Sequence, residues 1–215
     1  MHHIEQTLAL SATDIELRDR LTGLSKDFFL KQGYNSSTMD QVAKKARVSK
    51  KTLYRLFRNK EAVLRAVIHS IMNEIEDITT PLFTNDTEPF AVRFERLVVQ
   101  ISPQFANLRS LSSMKEMRDV SPNTYEEFEV WRRIRCAVLV GMVTRARDRG
   151  EISTVFDLNE MIEIYGALHN ACMDYSIAED QGVPAKDVYV AFSDVFLNGI
   201  LEQGYSGASK QRHTV

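Results

Sequence analysis

Cysteine is scarce in this chain of 215 residues: there are two, Cys136 and Cys172. Each stands singly inside a helical pattern, which reads as buried free thiols in a reducing cytoplasm. Redox sensing is the alternative, and only for Cys136, which Arg133 and Arg135 flank. Long apolar runs are missing too. No stretch approaches the ~18 uncharged residues that a membrane span requires. Met1 to Ala12 lacks a basic start followed by an apolar run, so no secretory leader is expected. β-Branched alternating runs are few, which argues against a sheet. Gly-x-Ser-x-Gly, a phosphate-binding glycine loop and His-Glu-x-x-His are all absent, which removes the commonest signatures of hydrolases, nucleotide enzymes and zinc proteases. His2-His3 has no accompanying ligand cluster, and the acidic pair Glu126-Glu127 falls in a solvated helix start. The expectation is no enzyme, no metal and no cofactor.

What is present is ordinary in amount and uneven in placement. Hydrophobic residues make up 44% and charged residues 26%, enough for one large core or two smaller ones. The net charge of -2 hides an asymmetry. Asp14 to His69 holds 13 basic and 6 acidic residues, whereas the rest holds 14 basic and 23 acidic. An acidic body with one basic end points to a polyanion partner held at that end. A solvated basic face is the bland alternative.

Start and stop residues place about nine helices. Thr13-Asp14-Ile15-Glu16 reads as a capping box opening the first, in which Leu17, Leu21, Leu24 and Phe28 recur at helical spacing and which Gly33 closes. Thr38-Met39-Asp40-Gln41 opens a short second helix ending near Ala46. Arg47-Val48 turns the chain, and Ser49 caps a third helix to about Leu56. Asn59 caps a fourth, from Lys60 to about Ile78, which Pro81 is expected to stop. The fifth begins at Thr87 and Pro89, the sixth spans about Asn107 to Arg118, and the seventh runs from Ser121-Pro122 to Gly150. In its last turn, Arg145, Arg147 and Arg149 suit a helix C-terminus. Asp157 caps the eighth helix and Pro184 begins the ninth; the tail after Gly204 reads as frayed.

Two short helices joined by a tight turn have the helix-turn-helix layout, whose second helix enters the DNA major groove. In the third helix Leu53 and Phe57 would face inward. Lys50, Lys51, Thr52, Tyr54 and Arg55 would face outward, with types suited to guanine edges, a thymine methyl and phosphates. Thr38 offers a hydroxyl at a helix N-terminus for a phosphate oxygen, and Arg58 and Lys60 extend the basic rim.

Residues 17 to 64 carry the spacing Phe29-x3-Gly33-Tyr34-x3-Thr38-Met39-x2-Val42-Ala43-x2-Ala46-x-Val48-Ser49-x2-Thr52-Leu53-Tyr54-x2-Phe57-x-Asn59-Lys60-Glu61-x-Val63-Leu64. This resembles the DNA-binding domain of the TetR family. The resemblance implies an all-α homodimeric regulator, usually a repressor, with an N-terminal three-helix helix-turn-helix domain. A C-terminal helical bundle would bind a small effector and form the dimer. It implies DNA contacts from Thr38, Ser49, Lys50, Lys51, Thr52, Tyr54, Arg55 and Lys60, with Tyr54 and Lys60 on phosphates and Lys50, Lys51 and Arg55 on the base-reading face. Two positions depart from the family. Arg47 stands where a turn glycine is usual, and a left-handed conformation there costs on the order of 1 kcal/mol. Leu56 stands where His or Tyr is frequent, which removes a polar contact near the end of the reading helix.

The expected organisation is a DNA-binding domain over 13–59, an effector and dimerisation domain over 60–204 with 60–79 as connecting helix, and a flexible tail over 205–215. Helices eight and nine are apolar on more than one face, so each buries two sides. Pairing with a second copy would use Leu168, Ala171, Tyr175, Phe192, Val195, Phe196 and Gly199, with a pair of helices buried inside a monomer as the alternative. Candidates for an effector pocket are Met117, Tyr125, Phe128, Trp131, His169 and Met173, with plain core as their bland reading. The expected partners are a double-stranded DNA operator, a second copy of the chain and a small hydrophobic effector, with no membrane and a cytoplasmic location.

Overall fold

The computed structural model describes residues 11–111, 114–153, 157–174 and 185–201, the side chains of 105–111, 114–116, 168–174 and 185–186 excepted. Among them are nine helices: α1 (Ala12–Gln32), α2 (Met39–Ala46), α3 (Lys50–Leu56), α4 (Lys60–Thr84), α5 (Phe90–Leu111), α6 (Met114–Val120), α7 (Pro122–Asp148), α8 (Leu158–Asp174) and α9 (Ala185–Ile200). The only extended pairing among the described residues is one antiparallel bridge, Ile152 to Leu201. The fold is all-α, as expected. Even Asn198-Gly199, a pair that favours hairpin turns, lies inside or at the end of α9, where Asn198 Nδ2 donates to the Asp194 carbonyl (2.8 Å).

Four boundaries differ from those read in the sequence. The cap of α1 is Ser11, whose Oγ accepts from the Asp14 N–H (3.2 Å), two residues before the Thr13 expected. Asp14 has a different role, described below. Helix α4 passes through Pro81 and ends at Thr84. A proline close to a helix end removes a single donor, and the terminal carbonyls that the helix leaves open find side-chain donors. Arg145 Nη2 donates to the Phe83 carbonyl (2.6 Å) and Arg93 Nη1 to that of Leu82 (3.4 Å). Likewise α5 contains Pro103 and continues to Leu111, so α6 begins at Met114 rather than near Asn107. The start of the last helix was read at Pro184, which lies outside the described residues, as does the tail after Gly204.

The chain divides into two compact units, with the boundary between Ser70 and Ile71. In the first, α1 packs on α2 and α2 on α3. Its core is Leu21, Phe29, Val42, Ala46, Leu53, Phe57, Val63, Leu64 and Val67, and Tyr34 meets Phe29 edge-on with ring centroids 5.4 Å apart.

In the second unit α5 packs on α9, α8 on α9, and α7 on α5, α6 and α8. An aromatic cluster forms where α5, α8 and α9 meet. Tyr165 lies 5.8 Å from Phe94, 5.8 Å from Phe192 and 5.0 Å from Phe196, centroid to centroid. Its hydroxyl bonds that of Tyr189 at 2.8 Å.

A charged knot holds the α4–α5 corner. Arg93 is fully buried, and its Nη1 donates to Asp86 Oδ1 (2.9 Å). Arg145 Nε donates to Asp86 Oδ2 (2.8 Å), and Arg149 approaches the same carboxylate at 3.5 Å. Arg149 also bonds Glu151 (2.5 Å), which accepts from the Phe90 N–H at the start of α5. The C-terminal arginines of α7 therefore do more than complement their own helix end.

Arg93 Nε and Nη2 have no hydrogen-bond partner among the described residues. A buried charge so poorly satisfied adds little net stability, and an apolar residue of similar volume serves as well. Arg93→Met is expected to lie within about 1 kcal/mol of the parent, or to be more stable, in urea denaturation. Asp86→Asn leaves the Arg93 charge uncompensated and is expected to lower the denaturation midpoint clearly.

Candidate functional site

The basic end of the chain resolves into a short helix held out from a packed base. Thr38 caps α2: its Oγ1 accepts from the Gln41 N–H (3.3 Å), while Gln41 Oε1 accepts from the Thr38 N–H (2.8 Å). These two bonds form the capping box read in the sequence. After Ala46 the chain turns through Arg47, with φ 54° and ψ 41°, the one non-glycine residue at positive φ among those described. The left-handed turn lets the Val48 N–H reach back to the Ala43 carbonyl (3.1 Å). Ser49 then caps α3 by accepting from the Thr52 N–H (3.0 Å), and the two hydroxyls lie 2.8 Å apart.

Leu53, Leu56 and Phe57 are 0%, 5% and 1% exposed, and this fixes which way α3 faces. Lys50, Lys51, Tyr54 and Arg55 are exposed and Thr52 is half-buried, so the predicted reading residues share the outward side. Leu56 does not belong to that surface. Its side chain is core and makes no polar contact, and its carbonyl accepts from Arg18 Nη1 (3.1 Å). The Arg18 guanidinium also stacks on Phe57, 4.7 Å from the ring centroid. Arg18 thus clamps the C-terminal end of α3, a role that spacing of 38 residues conceals.

The cations of the outward face are not alike. Arg55 makes a two-pronged pair with Asp14 (2.6 and 2.8 Å), and Lys50 meets Asp40 at 2.5 Å. Among the described residues Lys51 and Arg58 form no ion pair, and the hydroxyl of Tyr54, a residue 49% exposed, has no partner. Lys60 is half-buried. Its Nζ lies 4.1 Å over the Tyr34 ring and donates to the Asn35 carbonyl (3.4 Å), and burial lowers its pKa from the ordinary lysine value. Asp14 and Asp40, the two carboxylates on this surface, were missed by sequence reasoning.

The second unit contains a cavity of about 70 Å³ lined by Ile75, Thr79, Phe83, Leu97, Ile101, Phe128, Trp131, Arg132, Arg135, Cys136, Leu139, Tyr165 and Tyr189. A larger recess of about 370 Å³ shares Arg132, Cys136, Leu139 and Tyr165 with it. Of the effector candidates, Phe128 and Trp131 line the first cavity. Met117 is buried and Tyr125 half-buried, and neither lines it. The side chains of His169 and Met173 lie outside the described residues. Burial pushes the Cys136 thiol up, with Arg132 pulling weakly the other way, which disfavours the thiolate that redox sensing needs.

Among the dimer candidates Val195 is 75% exposed and Gly199 is exposed, whereas Phe192 and Phe196 are half-buried in the aromatic cluster. Leu168 and Ala171 fall on α8 with their side chains outside the described residues, and Tyr175 lies wholly outside them. No group of three or more potential metal ligands occurs among the described residues, and no helix there is long and apolar enough to cross a membrane.

Residues 25–67 match the family model described as bacterial regulatory proteins, tetR family. The chain is 19% identical over 171 residues to the uncharacterised HTH-type transcriptional regulator YvaF of Bacillus subtilis (strain 168), covering 80% of this chain and 89% of that protein. It is 33% identical over 55 residues to the HTH-type transcriptional regulator QacR of Staphylococcus aureus (strain Mu50 / ATCC 700699), covering 26% of this chain and 29% of that one. Among solved structures it is similar to the transcriptional regulator FadR from Bacillus subtilis in complex with stearoyl-CoA. The TM-score is 0.62 at 18% identity, over 86% of this chain and 98% of that one, a likeness of fold.

The Asp14–Arg55 pair makes a prediction of its own. Hydrogen bonds from Arg55 hold the Asp14 carboxyl below its ordinary value of 3.8, outweighing the opposing effect of burial. With the folded-state pKa depressed, the pair is whole above the unfolded value and dissolves as pH falls through the folded one, below about 4. Carboxyl-carbon NMR is expected to give Asp14 a midpoint under 3.8 that returns toward it in Arg55→Gln. Identical midpoints in the two proteins would show that the pair does not persist in solution.

Proposed function

The chain is a helix-turn-helix transcriptional regulator of the TetR family, and we propose that it works as a ligand-responsive repressor. In this reading a homodimer grips a two-fold symmetric operator, and a small apolar effector releases it. Residues 13–59 read the DNA. Residues 60–204 bind the effector and pair the two copies, with 60–79 linking the two functions and 205–215 as a tail. The observation that carries the reading is the outward face of α3, where exposed Lys51 and Tyr54 stand beside paired Lys50 and Arg55. Lysine and arginine there suit guanine edges, and Tyr54 suits a phosphate.

Thr38 and Ser49 supply hydroxyls and Thr52 a methyl at the same surface; Lys60 neutralises a backbone phosphate from the start of α4. Exposed Ile164 and Val195 on α8 and α9 supply apolar surface for a second copy. Two reading helices about one DNA turn, ~34 Å, apart engage both half-sites together, and a change of that spacing by a few ångström disengages one of them. The apolar cavity supports an apolar effector. The FadR neighbour carries stearoyl-CoA, and the effector here is smaller or enters through the adjoining recess. Such a regulator acts in the cytoplasm, without a membrane or a cofactor.

Two of the cations on α3 are held by carboxylates that would face the DNA phosphates. Asp14→Asn is therefore expected to tighten binding about twofold to fivefold at 0.15 M salt, by removing a repulsive charge and freeing Arg55. Lys51→Ala is expected to weaken binding and to lower the salt slope by about 1. Tyr54→Phe is expected to cost about fivefold, the worth of one hydrogen bond. Fluorescence anisotropy on DNA from upstream of the chain's own coding region, at several salt concentrations, measures all three. Binding that is insensitive to salt and to Lys51→Ala would contradict the proposal.

A further inference from the structure

The cavity in the second unit is apolar around most of its wall, through Ile75, Leu97, Ile101, Phe128 and Leu139. Polar groups also line it, from Thr79, Arg132, Tyr165 and Tyr189 as well as from Trp131 and Arg135, and the last two stand apart. Trp131 Nε1 and Arg135 Nε are buried donors with no hydrogen-bond partner among the described residues. The two residues are four apart on α7, so they lie on one face of the helix, a turn from each other. A buried donor left without an acceptor is costly, and native interiors rarely retain one that nothing satisfies.

Charge on this wall is already balanced. Arg135 Nη1 donates to Glu76 (2.9 Å) and its Nη2 to Thr79 (2.8 Å), while the guanidinium lies 5.2 Å from the Phe83 ring centroid. Arg132 is matched by Glu129 through two bonds of 3.1 and 2.8 Å. Among the described residues, an anion placed here would find no cation left to receive it, in a site of low dielectric. What these two donors lack among the described residues is an acceptor, and not a negative charge.

We infer that this cavity selects a neutral apolar molecule bearing a carbonyl-type oxygen, which accepts from Trp131 Nε1 and Arg135 Nε while its hydrocarbon body fills the apolar remainder. This rests on the reading of the second unit as the effector-binding part, and it adds the chemical class of the effector. Trp131 and Arg135 are then the residues that discriminate, and the apolar wall supplies affinity without selecting the functional group.

Trp131 is the single tryptophan of the chain, so its indole N–H gives one resonance of its own. The test is a titration of the purified, DNA-free protein with cyclohexanone, methylcyclohexane or cyclohexanecarboxylate, followed by 15N–1H spectra. Cyclohexanone is expected to shift the indole proton downfield and to saturate, and methylcyclohexane to give no such shift. By melting-temperature titration, Trp131→Phe is expected to weaken cyclohexanone about tenfold and to change methylcyclohexane less than twofold. An indole resonance that cyclohexanone leaves in place up to its solubility, an equal shift with methylcyclohexane, or tighter saturation by cyclohexanecarboxylate would each overturn the inference. Because the readout needs no DNA, its failure is distinct from that of the repressor reading. A protein that binds its operator and is released by a carboxylate refutes only the inference, and one that binds the ketone but no DNA refutes only the reading.

Discussion

A helix of seven residues does not hold its shape alone in water. Helix α3 exists because Leu53, Leu56 and Phe57 are taken out of solvent on one side, while Ser49 ties down its first turn and Arg18 its last. That burial is the constraint on which the rest of the first unit depends. It orients the helix, and the orientation alone puts Lys50, Lys51, Tyr54 and Arg55 on a common face. The left-handed turn at Arg47 is the accompanying cost. Glycine would adopt it without strain, whereas arginine gives up on the order of 1 kcal/mol. Its exposed guanidinium adds one more cation beside the helix.

Carboxylates organise the arginines of both units, to different ends. On the first unit Asp14 and Asp40 hold Arg55 and Lys50 at the surface, where water and salt weaken such pairs and a stronger anion can displace them. They fix the direction of two side chains and moderate an otherwise strongly cationic face. In the second unit Asp86 gathers Arg93, Arg145 and Arg149, and Glu151 joins the start of α5 to the end of α7. Arginine donors of that knot cover the Leu82 and Phe83 carbonyls that the end of α4 leaves open.

Local signals in the sequence were read well, and signals that act across the fold were not. The capping box at Thr38, the cap at Ser49, the left-handed turn and the inward face of α3 each depend on residues within a few positions, and each is present. The end of α4 lies beyond the stop expected at Pro81, and arginines far along the chain cover carbonyls at its actual end. Asp14 was assigned to a capping box, although its partner Arg55 lies 41 residues away. That Leu56 packs inward with Leu53 and Phe57 was not legible from the four-residue spacing of those two alone. For the cavity, Phe128 and Trp131 were legible as aromatic residues on α7. Tyr165, Tyr189 and Phe83 come from other helices and meet them only in the folded unit.

The central claim is that the outward face of α3 reads a particular DNA sequence. The most direct measurement is selection of genomic fragments by the purified full-length protein, followed by sequencing of what is retained at physiological salt. The account predicts enriched fragments that share a two-fold symmetric motif, and loss of that motif when Lys51 and Tyr54 are both replaced by alanine. Retention of DNA without any shared motif, or a motif unchanged by those two substitutions, would contradict it.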